Sequence, residues 1–301
     1  MTTVIEATGL VKKFGRTRAL DGLDLSVDEG EVHGFLGPNG AGKSTTIRVL
    51  LGMLRGNGGT SSVFARDPWR DAVSIHRDIA YVPGDVSLWP NLSGGETIDY
   101  LTRLRGGADK QLRARLLNDF ELDPKKRGRS YSKGNRQKVA LVAAFARPAK
   151  LYVLDEPTSG LDPVMESVFR REIERVQNDG ATVLLSSHIL SEVEQLCDRV
   201  TIVRAGKAVE TGALDDLRHL TRTSFRVATP ATLADVQKLR GVHDARAEAD
   251  HLVFDVDTEA INGVLAALTK AGVSSLTVTP PSLEELFLRH YGDRIASEPA
   301  E

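Results

Sequence analysis

Polar and apolar residues alternate over residues 4–9 and 20–27, the period of strands with one buried face. Residues 32–36 (VHGFL) read instead as a fully buried strand, which runs into a glycine-rich turn and then a helix over 43–54. From about 92 to 149 the pattern turns helical, with leucines three and four apart in LTRLRGG and KQLRARLLNDF, so a helical segment is inserted there. Strands return at 151–154, 182–186 and 200–203 with helical stretches between them, the βαβ alternation of a mainly parallel sheet. Beyond Thr211-Gly212 the order becomes strand 224–228, helix 231–239, strands 242–249 and 252–256, helix 259–271 and strand 275–278. That βαββαβ order is the order of a ferredoxin-like module. After the Pro280-Pro281 break, SLEELFLRHYG predicts a last amphipathic helix from Ser282.

The 301-residue length agrees with two domains, expected at 1–220 and 221–301, the first carrying a helical subdomain at about 88–150. A net charge of −2 supplies no overall basic field, so nucleic acid is not an expected partner. The basic run KKRGR at 125–129 reads as a solvated face. One cysteine, Cys197, excludes a disulfide scaffold. The longest apolar run, 139–146, falls far short of the roughly 20 residues of a membrane span. The opening MTTVIEATGL has neither a basic n-region nor an apolar h-region, so a cytoplasmic location is expected.

Residues 37–44 read GPNGAGKS, the G-x-x-x-x-G-K-[ST] spacing placed between a strand and a helix. Such glycines let successive N–H groups and a helix N-terminus point at phosphate oxygens. Gly37, Pro38, Asn39, Gly40, Ala41 and Gly42 then form the cradle, and Thr45 follows it. Lys43 is expected on the β and γ phosphates and the Ser44 hydroxyl on Mg²⁺. LYVLDE at 151–156 is an apolar strand ending in two carboxylates: Asp155 is expected on the metal, and Glu156 to polarise the attacking water as general base. A nucleoside triphosphate is the expected ligand.

These motifs, over about residues 4–215, resemble the ATP-binding cassette ATPases, and more narrowly the ATPase subunits of daunorubicin-resistance-type exporters. YSKGNRQKVAL at 131–141 resembles that family's signature segment, with Ser132, Gly134 and Asn135 in place and Lys133 at its first glycine. LSGGE at 92–96 matches the consensus better as text but lies too far ahead of Asp155; its Ser-x-x-Glu spacing predicts a capping box instead. The resemblance implies ATP and Mg²⁺ as ligands, a contact of Asp162 (in SGLD) with a partner subunit, His188 (in SSH) as the γ-phosphate histidine, and Phe14 stacked on adenine. His33 has no comparable surroundings. Where the family has a Gln or Glu after the YVP strand end, this chain has Gly84, with Asp85 the nearest substitute as a metal ligand.

The resemblance further implies a second ATPase subunit, with each ATP held by one chain's 37–45 and the other's 132–135. It also implies a separate membrane permease whose cytoplasmic helices dock near 83–100 and the helical insertion, which would hold the chain on the inner face of the membrane. An ATPase of DNA repair or translation is the alternative. Those chains carry long coiled coils, zinc sites or two cassettes, and this sequence shows no heptad run, no cysteine pair and one set of motifs.

Overall fold

The computed structural model describes residues 2–219 and 222–279. The chain divides into two compact units, Met1–Gly212 and Ala213–Glu301.

The first unit opens with two long antiparallel strands, β1 (Thr3–Phe14) and β2 (Thr17–Asp28), followed by the buried β3 (Val32–Leu36) and helix α1 (Lys43–Leu50). Next come β4 (Gly58–Val63), α2 (Ala72–His76) and β5 (Ile79–Val82). The insertion holds α3 (Gly94–Arg103), α4 (Lys110–Asp119) and α5 (Lys133–Phe145). The chain returns through β6 (Leu151–Asp155), α6 (Pro163–Asn178), β7 (Thr182–Ser187), α7 (Leu190–Leu196), β8 (Arg199–Arg204) and β9 (Lys207–Ala213).

Two sheets result. One is the antiparallel β2-β1-β4, whose β2 alternates buried and exposed residues because one face alone meets the core. The other has the order β5-β6-β7-β3-β8-β9, with β5 through β8 parallel. In that sheet every residue of β3, β6 and β7 is buried, as parallel strands covered on both faces require. Leu36, Asp155 and Ser187 therefore end neighbouring parallel strands, and the loops carrying the motifs leave from there.

The helix after the glycine-rich turn is shorter than its sequence pattern predicts. Gly52 takes a left-handed φ of 65°, the Gly52 N–H reaches the Val49 carbonyl, and the Met53 N–H reaches Arg48. This paired closure is the Schellman stop that glycine favours, and it ends α1 before residues 51–54. His33 lies in the core, with Nδ1 and Nε2 each 2.9 Å from Glu31 Oε1 and Thr201 Oγ1.

The second unit holds α8 (Leu214–His219), β10 (Thr223–Ala228), α9 (Leu233–Gln237), β11 (Val242–Glu248), β12 (His251–Val256), α10 (Ile261–Ala271) and β13 (Ser275–Thr279). Its sheet runs β11-β12-β10-β13 with every pair antiparallel, the arrangement of a ferredoxin-like module. Phe225 and Phe254 stack at 5.6 Å between centroids in a core closed by Val236, Val264 and Leu268. The amphipathic helix expected from Ser282 lies outside the described residues.

Candidate functional site

The loop between β3 and α1 is shaped by glycine. Gly40 and Gly42 have φ of 82° and 111°, and a side chain at Gly42 would also press on Leu20 and the Ala19 carbonyl. The Gly206 N–H donates to the Ala41 carbonyl, and the Thr46 N–H and hydroxyl both donate to Gly42, which pins the curl. Among the described residues no side chain caps α1, which leaves its opening N–H groups available to an anion. Inside the curl, Lys43 is 5 % exposed and its Nζ donates to the carbonyls of Gly37 (2.6 Å) and Pro38 (3.3 Å). Burial lowers the Lys43 pKa, while the nearby Glu156 and Asp155 carboxylates oppose that shift. A desolvated ammonium with neutral carbonyls as its closest partners is a ready site for phosphate oxygens.

Opposite the lysine stands Glu156. Its Oε1 is 3.6 Å from Lys43 Nζ and 3.2 Å from His188 Nδ1. Glu156 has a φ of 48°, a left-handed conformation that costs a non-glycine residue about 1–2 kcal/mol. The Glu156 N–H donates to Ser186 at 2.9 Å, which helps hold that strained turn. Asp155 is 4 % exposed, and its Oδ1 accepts the Ser186 hydroxyl at 2.9 Å. Among the described residues no group of three His, Cys, Asp or Glu could hold a metal ion. A Mg²⁺ here would need phosphate oxygens beside the Ser44 hydroxyl and Asp155, a hard oxygen donor set that suits the ion.

The loop after β5 brings Gly84, not a longer side chain, against Asp155: a Cβ at residue 84 would lie 3.3 Å from the Asp155 carbonyl and 3.6 Å from its carboxyl carbon. The neighbouring Asp85 is exposed. Phe14 is exposed by 48 % with Lys12 Nζ 5.1 Å from its ring centre, so a ring face remains open to a base.

Ser132, Gly134 and Asn135 gather elsewhere. Ser132 caps α5, its hydroxyl accepting the Asn135 N–H at 3.3 Å. Lys133 Nζ donates to Ser159 Oγ at 2.9 Å, Gln137 Nε2 to the Pro157 carbonyl at 2.9 Å, and Gly134 approaches Gly160 so closely that a Cβ would strike its carbonyl. The start of α5 thus packs on the loop that follows Glu156. Among the described residues it makes no hydrogen bond or ion pair with residues 37–45 of its own chain. Asp162 caps α6, accepting from the Val164 and Met165 N–H groups at 3.0 Å. At Ser93 the reciprocal capping box is complete, with Ser93 N–H to Glu96 at 2.7 Å and Glu96 N–H to Ser93 Oγ at 3.2 Å.

The sequence reading assigned no role to Ser186, although it steadies both Asp155 and Glu156, or to Ser187 and Glu192, whose hydroxyl and carboxylate meet at 2.6 Å. The SSH segment held the only signal for the two serines, and nothing in the text joins them to partners 31 and 5 residues away. An apolar groove of about 600 Å³, lined by Met53, Val73, Tyr81, Pro83, Trp89 and Leu104 among others, opens beside the insertion. No helix among the described residues is long and apolar enough to cross a membrane.

Comparison with known proteins places relatives beside this site. Residues 20–159 match the ABC transporter family, and residues 212–291 match the C-terminal domain of DrrA1-3-like ATP-binding proteins. The chain is 34 % identical to the daunorubicin resistance ATP-binding protein DrrA3 of Streptomyces coeruleorubidus, over 97 % of this chain and 96 % of that one. It is 35 % identical to the daunorubicin/doxorubicin resistance ATP-binding protein DrrA of Streptomyces peucetius, over 100 % of this chain and 97 % of the relative. Among solved structures, an ATP binding subunit of an ABC transporter matches with a TM-score of 0.67 at 31 % identity, covering 72 % of this chain and 92 % of that chain.

Proposed function

This chain belongs to the ABC transporter ATP-binding family, and from that premise we propose that it hydrolyses ATP to power export of a drug, antibiotic or other amphipathic solute through a separate permease. The observation that carries the hydrolytic part is the meeting of Lys43, Glu156 and His188 at the ends of neighbouring parallel strands. The daunorubicin resistance relatives, aligned over nearly the whole chain, support the export part.

In this reading ATP lies along residues 37–45 with its adenine on Phe14, and Lys43 exchanges its carbonyl partners for the β and γ phosphates. Ser44 and Asp155 would hold Mg²⁺, which when bound supplies positive charge to the phosphate oxygens. Asp85, exposed beside Gly84, is the further candidate ligand on that ion. Glu156 takes the proton side of the attacking water, and His188, 3.2 Å from it, orients that carboxylate and faces the γ phosphate. The left-handed turn at Glu156 fixes its carboxylate before substrate arrives, so little reorganisation is left for the reaction itself.

Charge on the transferring phosphoryl group still needs a donor from the far side. The exposed Ser132 and the open N–H groups at the start of α5 fit that need on a second copy of the chain. A homodimer closed around two ATP molecules, with Asp162 and its loop at the junction, is therefore the proposed assembly. The apolar groove beside the insertion, with Met53, Val73, Trp89 and Leu104 all exposed, suits a cytoplasmic helix of the permease and would place the chain on the inner face of the membrane.

Affinity capture of the Glu156→Gln protein with Mg-ATP from native membranes tests the proposal, with turnover measured on the same preparation. The expected result is tight ATP binding, turnover reduced by about a hundredfold or more, and recovery of a polytopic membrane protein in near-equal amount. Full turnover would remove Glu156 from the base role. Recovery of ribosomes or DNA-bound factors with no membrane protein would end the transport reading.

A further inference from the structure

Glu192, in the first turn of α7, is a carboxyl group to which the hydrolysis scheme gives no task. Its Oε2 accepts the Ser187 hydroxyl at 2.6 Å, and Ser187 Oγ in turn accepts the Ile189 N–H at 2.9 Å, a bond that spans His188. Thr158, buried two residues after Glu156, lines the same small cavity as this carboxyl and helps pull its pKa down. Glu192 thus holds the segment that carries His188 and borders the segment that carries Glu156. Its second oxygen, Oε1, is buried and among the described residues has no hydrogen-bond partner, and a small cavity of about 160 Å³ borders Glu192, Thr158, Ile189 and Leu196. Burial raises the Glu192 pKa, against the pull of Ser187 and Thr158. An unpaired buried oxygen is unfavourable, so the carboxyl is kept at this position at a cost to the fold.

We infer that Glu192 is a positioning residue for hydrolysis, gripping Ser187 beside Thr158 so that the imidazole of His188 stays against the Glu156 carboxylate. The inference rests on the roles proposed above for Glu156 and His188. Ser186 completes the linkage: it precedes Ser187 in β7 and receives the Glu156 N–H while donating to Asp155. A shift of Ser187 therefore moves both sides of the site.

The test measures kcat and KM for ATP hydrolysis, with binding of a fluorescent ATP analogue, in full-length Glu192→Ala, Glu192→Gln, Ser187→Ala and the Glu192→Ala/Ser187→Ala pair. Glu192→Ala is expected to lower kcat by about tenfold or more, the scale of a small misplacement, with KM and analogue affinity unchanged. Glu192→Gln keeps the shape and still accepts from Ser187, so it retains most of the wild-type kcat. Ser187→Ala should follow Glu192→Ala, and the double variant should be no slower than the worse single one. Wild-type kcat in Glu192→Ala, an equal loss of analogue binding, or additive losses in the double variant would each overturn the inference. Should Glu192→Ala not fold, wild-type kcat in Ser187→Ala overturns it instead. Glu156→Gln run in parallel separates the two levels: full turnover there defeats the underlying scheme, whereas a slow Glu156→Gln beside a fast Glu192→Ala defeats this inference alone.

Discussion

Ser93 and Ser132 each cap a helix, but the N–H groups behind them meet different fates. At Ser93 the box with Glu96 takes up two, and the Gly94 and Gly95 N–H groups donate to the carbonyls of Lys126 and Pro124 at 2.9 and 2.8 Å. That helix start is closed, with no donor left for an anion. At Ser132 the cap takes up the Asn135 N–H, while among the described residues those of Lys133 and Gly134 have no acceptor. This start is open, exposed, and packed beside the loop that follows Glu156. Two segments of similar text therefore differ in the donors they offer, because their surroundings satisfy one and leave the other open.

Variants at the two starts should separate accordingly. The largest effect is expected for Ser132→Arg, which obstructs the open start: turnover falls by roughly a hundredfold, as for loss of a preorganised donor, while ATP binding by the same chain is unchanged. Ser93→Ala should do the reverse. Loss of the cap costs about 1 kcal/mol, a fall of roughly 2–4 °C in Tm on calorimetry, with kcat unaffected.

Lys133→Gly makes a smaller and more pointed test, because it restores the family residue while removing the bond to Ser159. A loss of turnover of no more than about threefold is expected, the worth of one exposed hydrogen bond. The least effect concerns pH. The Ser93 backbone N–H, and then its side chain, hold the Glu96 carboxyl below the ordinary glutamate value of 4.5. Because the folded-state pKa is depressed, that contribution is present above about pH 4.5 and is lost as pH falls through the folded value. Melting curves of wild type and Glu96→Gln should differ at neutral pH and converge in acid.

The ends of this comparison were unevenly legible in the sequence. The glycine-rich loop, the buried strands and the Ser-x-x-Glu box are local patterns, and each lies where its spacing predicts. The succession βαββαβ in the second unit was legible as well, as the element order shows. What escaped depends on residues far apart in the chain. No spacing rule reveals that Gly134 meets Gly160, that Ser186 bonds Asp155, or that Lys133 reaches Ser159. The left-handed turn at Glu156 escaped for another reason: glutamate rarely adopts it, so the chain around it had to be seen holding it there.

The central claim is that an ATP site is completed by residues 132–135 of a second chain, and mixing two inactive variants tests it most directly. Lys43→Ala lacks the phosphate lysine, and Ser132→Arg lacks the open helix start. If sites form between chains, each mixed dimer holds one site with both defects and one with neither, so combining the two proteins restores ATP hydrolysis. No recovery on mixing, with mixed dimers shown to form, would contradict the account, as would full activity of Ser132→Arg by itself.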